Sequence, residues 1–241
     1  MAHARPSSSA PPPGTPDTTG QVQVVASHME PPPGPFPLDF VTDPDSDFAA
    51  SFRVLRHRLR RSGDPHIIAV TSPGAGEGKT TCAVNLAMAI AEHGRERVML
   101  LEANLRRPRL AEALGFAPPV CFAKQLETVT ETHRMVWRCV ASFFDNLHVL
   151  AVSPETQERM LLTAPPMFLA LQHVRSSGYG YIIIDCADAL RSADVNIIEE
   201  MTDGLLLTGM TGRTTKSSLR RTAEHLAPAE ILGMVLMAAP R

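Results

Sequence analysis

Aromatic side chains are scarce in this 241-residue chain: Phe, Trp and Tyr make up 5% of residues, with one Trp and two Tyr. That leaves no platform on which bases of single-stranded nucleic acid could stack. Positive charge is not in excess either. Lys and Arg number 23 against 25 Asp and Glu, for a formal net charge of -2, which gives no electrostatic reason to expect nucleic-acid binding. No apolar run approaches the ~18 residues that a membrane span needs. The opening Met1-Ala-His-Ala-Arg-Pro-Ser-Ser-Ser stretch also lacks the apolar segment of a signal peptide. The four cysteines, Cys82, Cys121, Cys139 and Cys186, have neither zinc-ligand spacing nor the look of a disulfide framework. The nine histidines are scattered, with no pair at metal-ligand spacing. These absences predict a cytoplasmic protein with reduced thiols, reaching a membrane only through a partner.

Proline is plentiful but unevenly placed. About half of the 21 prolines fall before residue 46, including Pro11-Pro12-Pro13 and Pro31-Pro32-Pro33. Residues 1–45 therefore read as a disordered Pro-rich tail with too little apolar content to offset its ordering entropy. A helix is expected from Asp47, where Phe48, Phe52, Leu55 and Leu59 recur at helical spacing as a core-facing stripe. Arg53, Arg56 and Arg60 lie on another face and, from charge patterning alone, read as solvated.

Beyond Gly63-Asp64-Pro65 the chain alternates. Strands are predicted at Ile67–Thr71, Val98–Leu101, Leu147–Val152, Tyr181–Ile184, Gly204–Thr208 and Ile231–Met237, and helices near Lys79–His93, Pro165–Ser176, Ala193–Met201 and Thr214–Leu226. That rhythm is the signature of a mostly parallel sheet with helices on both faces. Residues 115–146 give no clear pattern. Met160, Met167, Met201, Met210, Met234 and Met237 read as core filler, and Lys216, Arg220 and Arg221 as a solvated helix face.

The first predicted strand runs into Ser72-Pro73-Gly74-Ala75-Gly76-Glu77-Gly78-Lys79-Thr80-Thr81, which opens a helix. A strand, a glycine-rich turn and Lys-Thr at a helix start together suit phosphate. Glycines let backbone N–H groups converge on phosphate oxygens, and the helix N-terminus adds positive potential. Lys79 is placed to reach the β- and γ-phosphates of ATP, and the Thr80 hydroxyl to ligate Mg²⁺. Gly74, Gly76, Glu77, Gly78 and Thr81 complete the candidate nucleotide-binding set. Pro73 stands where the generic pattern has its first glycine.

Together with Leu100-Leu101-Glu102-Ala103-Asn104-Leu105-Arg106-Arg107-Pro108-Arg109 and Tyr181-Ile-Ile-Ile-Asp185, the loop resembles the bacterial tyrosine kinases. These are the cytoplasmic P-loop partners of membrane polysaccharide chain-length regulators (co-polymerases), and the resemblance runs from about Asp47 to Met237. It implies a P-loop NTPase three-layer α/β sandwich over residues 46–241, with ATP and Mg²⁺ as cofactors. It also implies Lys79, Glu102 and Asp185 as catalytic groups, Thr80, Glu102 and Asp185 around the metal, and Arg106 at the nucleotide. The implied function is regulation of capsular or exopolysaccharide polymerisation or export.

The departures are as informative. After the second strand the family alternates two aspartates, which can organise Mg²⁺ and accept a proton. Here they are Glu102, one methylene longer, and Asn104, which cannot be a base. Asp185 is followed by Cys186-Ala187-Asp188 rather than threonine and two prolines, and Asp188 reads as a solvated loop acid. The family's oligomer contact has a glutamate before two arginines; Arg53 and Arg56 match, but Ala50 stands for the glutamate, so a homo-oligomer is expected to be weakened. Met237 replaces an asparagine that helps read the base. A C-terminal tyrosine cluster is missing, and Tyr179 and Tyr181 read as loop and core residues. The pattern therefore implies a kinase-like ATP-binding protein with weak or absent transfer. The alternatives are an active kinase acting on another protein's tyrosine, a partition or positioning ATPase of the MinD/ParA type, and a scaffold that has lost the nucleotide. Against the partition ATPase, no lysine stands near the start of the loop, where Ser72 and Pro73 sit.

Overall fold

The computed structural model describes residues 21–32, 36–132, 136–155 and 162–238. Among the described residues eight strands form one sheet: β1 (Gln21–Val25), β2 (Ile67–Thr71), β3 (Val98–Glu102), β4 (Val136–Ala141), β5 (Leu147–Leu150), β6 (Tyr181–Asp185), β7 (Gly204–Met210) and β8 (Ile231–Met237). Their order is β1-β4-β5-β3-β6-β2-β7-β8. Every pairing is parallel except β4 with β5. The central strands are short, fully buried apolar runs, as expected for parallel strands covered on both faces.

Period-two alternation divides their side chains between two cores. Ile68, Val70, Leu100 and Ile183 face α1 (Asp39–Thr42), α2 (Asp47–Arg61), α3 (Lys79–Ala91) and α4 (Leu110–Leu114). Ile67, Ala69, Met99 and Ile184 face α5 (Phe122–Thr132), α6 (Ala164–Ser176) and α7 (Asp194–Glu199), with Leu226 of α8 (Lys216–Leu226) on the same side. This is the expected α/β three-layer sandwich. The stretch without a clear pattern, 115–146, supplies α5 and β4. The four cysteines are all buried.

Order begins earlier than the sequence suggested. Residues 21–25 and 39–42 lie inside the segment expected to be a tail, yet β1 pairs with β4 and Phe40 is buried in the core beside α2 and α3. The Asn85 side chain, buried in α3, donates to Pro37 O at 2.9 Å and so holds this segment to the domain. A few well-spaced apolar residues suffice when a preformed surface receives them; composition averaged over 45 residues hides that. Residues 1–20, and with them Pro11-Pro12-Pro13, lie outside the described residues, as does Met160.

Helix α2 starts as predicted at Asp47, with Ser46 as its cap: the Ser46 hydroxyl accepts from Ala49 N at 3.1 Å. The solvated reading of its arginines fails at two positions. Arg53 and Arg56 both reach Glu92 just past the end of α3; Arg53 Nε lies 2.9 and 3.0 Å from the two carboxylate oxygens, and Arg56 also donates to Ala89 O. A planar guanidinium matches a carboxylate fork, so the pair clamps α2 against α3. Charge periodicity cannot reveal a partner 39 residues away. Arg53→Ala is expected to lower stability by about 1–2 kcal/mol, less at high salt, as read from the urea midpoint. Met234 also departs from expectation: it is 54% exposed on the edge strand β8 rather than core.

Candidate functional site

Helix α3 rises from the end of β2 through the glycine-rich loop, with Gly78 as its N-cap at φ 86°. A side chain there would be doubly disfavoured, because a Cβ would lie 2.7 Å from Met237 Cγ in addition to the left-handed backbone. Gly76 likewise has φ 70°, and a Cβ would meet Arg213 Nη1 at 2.7 Å.

The loop's polar groups are held by one another. Lys79 is buried, and its ammonium donates to Ser72 Oγ and Gly74 O, both at 3.1 Å. Burial lowers its pKa, opposed by Asp185, Asp188 and Glu77 in that order. The Thr80 hydroxyl donates to Asp185 Oδ2 at 2.7 Å. Glu77, also buried, accepts from Gly74 N and from the Thr214 hydroxyl, both at 2.6 Å. Thr81 faces the other way, into a groove of about 720 Å³ between α2 and β8, where Phe48, Phe52, Leu55, Met234 and Met237 present apolar walls.

Asp185 ends β6 fully buried. Burial raises its pKa to about 6, against the pull of the Thr80 hydrogen bond and Lys79. Its Oδ1 is buried without a hydrogen-bond partner among the described residues. A buried carboxylate oxygen is seldom left so, and with Thr80 beside it the residues fit a hard, oxygen-seeking cation such as Mg²⁺. Thr80 and Asp185 would hold the ion, and Lys79 would turn from Gly74 O to phosphate. Such an ion supplies positive charge that neutralises phosphate oxygens.

Glu102 does not join them. It is the register partner of Asp185 across β3 and β6, but both its oxygens are occupied. Oε1 accepts from Arg109 N and from Leu110 N at 2.9 Å, and Oε2 accepts from Val152 N at 2.8 Å. Burial and neighbouring Asp185 push its pKa up to about 8 despite those three donors. Glu102 acts here as a staple: it closes the turn after β3 and ties it to the end of β5. Arg106 is exposed, on the wall of a small cavity of about 140 Å³ with Asn104, Arg107, Asp188 and Arg191. The expectation of a solvated Asp188 is also corrected, since its side chain is only 16% exposed.

Tyr181 is buried, as expected, and so is Tyr179, which read as a loop residue. The Tyr179 hydroxyl lies 2.7 Å from His148 Nδ1, and that of Tyr181 donates to Asp64 Oδ1 at 2.6 Å. The sequence reading missed Arg191, Arg213 and Thr214. Arg191 and Arg213 flank the mouth of the phosphate loop, and Thr214 fixes Glu77. The one local signal for Arg213 and Thr214 is the Gly212-Arg-Thr-Thr turn after a strand, which gains meaning only once β7 is known to lie beside β2.

No protein-family model matches the chain. Among curated proteins, it is 28% identical over 201 residues to the tyrosine-protein kinase YwqD of Bacillus subtilis, covering 81% of this chain and 83% of that one. It is 31% identical to a putative septum site-determining protein MinD of Nephroselmis olivacea, over 59% of this chain and only about half (51%) of that protein's length. Among solved structures, the kinase domain of the Escherichia coli tyrosine kinase ETK superposes with a TM-score of 0.68 over 84% of this chain and 80% of that one, at 19% identity, a likeness of fold. The alignment with YwqD over about four fifths of both chains and the shared architecture agree with the motif pattern: the chain is similar, as a divergent relative, to the bacterial tyrosine kinases.

Proposed function

We propose that this protein binds ATP with Mg²⁺ and acts, through conformation more than through phosphoryl transfer, as a kinase-like regulator of a membrane polysaccharide co-polymerase. Its work would lie in capsular or exopolysaccharide polymerisation or export, on the cytoplasmic side of the membrane. One contrast carries the reading. The phosphate-binding parts are in place, with Lys79 over the loop and Thr80 bonded to Asp185, whereas the carboxylate pair after β3 is not available, Glu102 being tied to three backbone amides and Asn104 uncharged. The apolar groove reaching Gly78 and Thr81 suits a nucleobase held by contact rather than by a side-chain amide. Self-association through α2 is weak in this reading, because Ala50 offers no acceptor and Glu92 of the same chain engages Arg53 and Arg56.

The test is ATP binding and autophosphorylation measured on one preparation. Saturating ATP–Mg²⁺, at about 100 times Kd, is expected to add about 2.7 kcal/mol of stability, roughly 5–10 °C in melting temperature for a domain of this size. Tyrosine labelling from the same ATP is expected to stay weak. Strong labelling would sink the reading in favour of an active kinase; no thermal shift at millimolar ATP–Mg²⁺ would favour a scaffold. A positioning ATPase is kept as second reading because of the MinD relatives, and would declare itself by ATP-dependent dimers whose hydrolysis lipid or DNA stimulates.

A further inference from the structure

Beside the phosphate loop lies a cavity that neither Lys79 nor Thr80 lines. Asp188 forms one wall, and Asn104, Arg106, Arg107 and Arg191 surround it. Asp188 is held there from both sides. Thr71 Oγ1, at the end of β2, donates to Ala187 O at 2.7 Å, and Ala189 N donates to Ser72 O at 2.9 Å. The loop after β6 therefore shares its backbone anchorage with the phosphate loop itself. The carboxylate is close enough to Lys79 to oppose the effect of burial on that ammonium. Yet Asp188 Oδ2 is buried without a hydrogen-bond partner among the described residues. Arg191 Nε stands 3.8 Å away, an ion-pair distance but too long for a hydrogen bond. A fixed, nearly enclosed carboxylate oxygen with no donor, among three guanidinium groups, suits a group that brings both a proton to donate and negative charge to develop. An attacking hydroxyl and a terminal phosphate are such a pair.

We infer that Asp188 is the catalytic base for the residual phosphoryl transfer of this site, taking over the role that Asn104 cannot fill. The inference rests on the ATP-binding reading above. The attacking hydroxyl belongs to water or to a tyrosine of another protein. Its oxygen bonds to the γ-phosphorus, the bond from γ-phosphorus to the bridging oxygen breaks, and ADP leaves with that electron pair. The hydroxyl proton passes to Asp188 Oδ2. Arg106, Arg107 and Arg191 face the charge that builds on the phosphoryl oxygens. With water as acceptor, the step yields ADP and inorganic phosphate and returns the regulator to its ADP form.

The experiment uses the full chain with γ-labelled ATP–Mg²⁺. Phosphate release and transfer to a glutamate–tyrosine copolymer are followed separately, so the two acceptors are told apart. ATP affinity is measured by titration, and folding by thermal melting. Asp188→Asn is expected to lower kcat by about 10²-fold or more with ATP affinity within about threefold and an unchanged melt; Asp188→Glu should recover part of the rate. Wild-type turnover in Asp188→Asn would overturn the inference. So would a rate loss matched by lost ATP affinity or a lowered melting temperature that Asp188→Glu does not restore. A wild-type protein that binds ATP but releases no phosphate and labels no tyrosine overturns it too, while leaving the regulator reading standing. Failure to bind ATP overturns that reading instead.

Discussion

Lys79→Met is expected to weaken ATP binding by about 10²-fold while leaving the ligand-free protein as stable as the wild type, to within about 1 kcal/mol. The two halves come from the same environment. In the ligand-free structure the Lys79 ammonium is buried against Ser72 Oγ and Gly74 O, and burial lowers its pKa. Those hydrogen bonds offset a desolvation cost, so exchanging the ammonium for a thioether of similar length removes both together. With phosphate present the balance changes. A charge-assisted contact to phosphate oxygens contributes roughly 1.5–3 kcal/mol, and methionine supplies none. Titration calorimetry would give the affinity, and thermal melting without ligand the stability. Retained affinity in Lys79→Met would mean that ATP does not sit in this loop. A collapse of the ligand-free melt would mean that Lys79 is chiefly structural.

Glu102→Ala is expected to destabilise the fold by about 3 kcal/mol, because it strips acceptors from three backbone N–H groups, those of Arg109, Leu110 and Val152. A buried donor left unsatisfied costs roughly 1–3 kcal/mol, partly offset here by removing a carboxyl that burial itself disfavours. The pH dependence gives a second readout. The folded-state pKa, about 8, lies above the ordinary value of 4.5. Between those values the folded protein keeps a proton that the unfolded chain releases, so this group's contribution to stability declines as pH rises through that window. Glu102→Ala removes the slope along with the staple. Urea unfolding from pH 5 to 8 measures both. If Glu102 were instead a metal ligand, alanine would cost Mg²⁺-dependent ATP affinity and leave the urea midpoint in place.

These two residues mark where the sequence was legible and where it was not. The placement of Lys79 was readable because what sets it is local: a strand, a tight turn and a helix start within a dozen residues. The same locality made β2, β6 and β8 readable to the residue or nearly so. The stapling contacts of Glu102 were not readable, because they join partners 7, 8 and 50 residues away, which no spacing rule encodes. Arg53 and Arg56 illustrate the same limit on the surface: their stripe was visible, but Glu92 was not. Asp188 looked like any loop acid until Thr71 and Ser72 were seen to pin the residues on either side of it. The tail was misjudged for a different reason. A strand of five residues and a single buried Phe carry little weight in an average dominated by proline, but the strand pairs with β4 and the Phe enters the core.

Glu77 joins two parts of the molecule that are far apart in sequence. One oxygen holds Gly74 N and the other the hydroxyl of Thr214, one residue before the cap of α8. The amide of Gly74 belongs to the glycine-rich cradle offered to phosphate, so an arriving nucleotide competes with Glu77 for it. Any ligand that drew that amide away would alter the hold on the turn leading into α8, whose Lys216, Arg220 and Arg221 face solvent. Thermodynamic reciprocity then binds the two events: a partner seated on α8 that favours one arrangement of the turn must change the affinity for ATP by the same factor by which ATP changes the affinity for that partner.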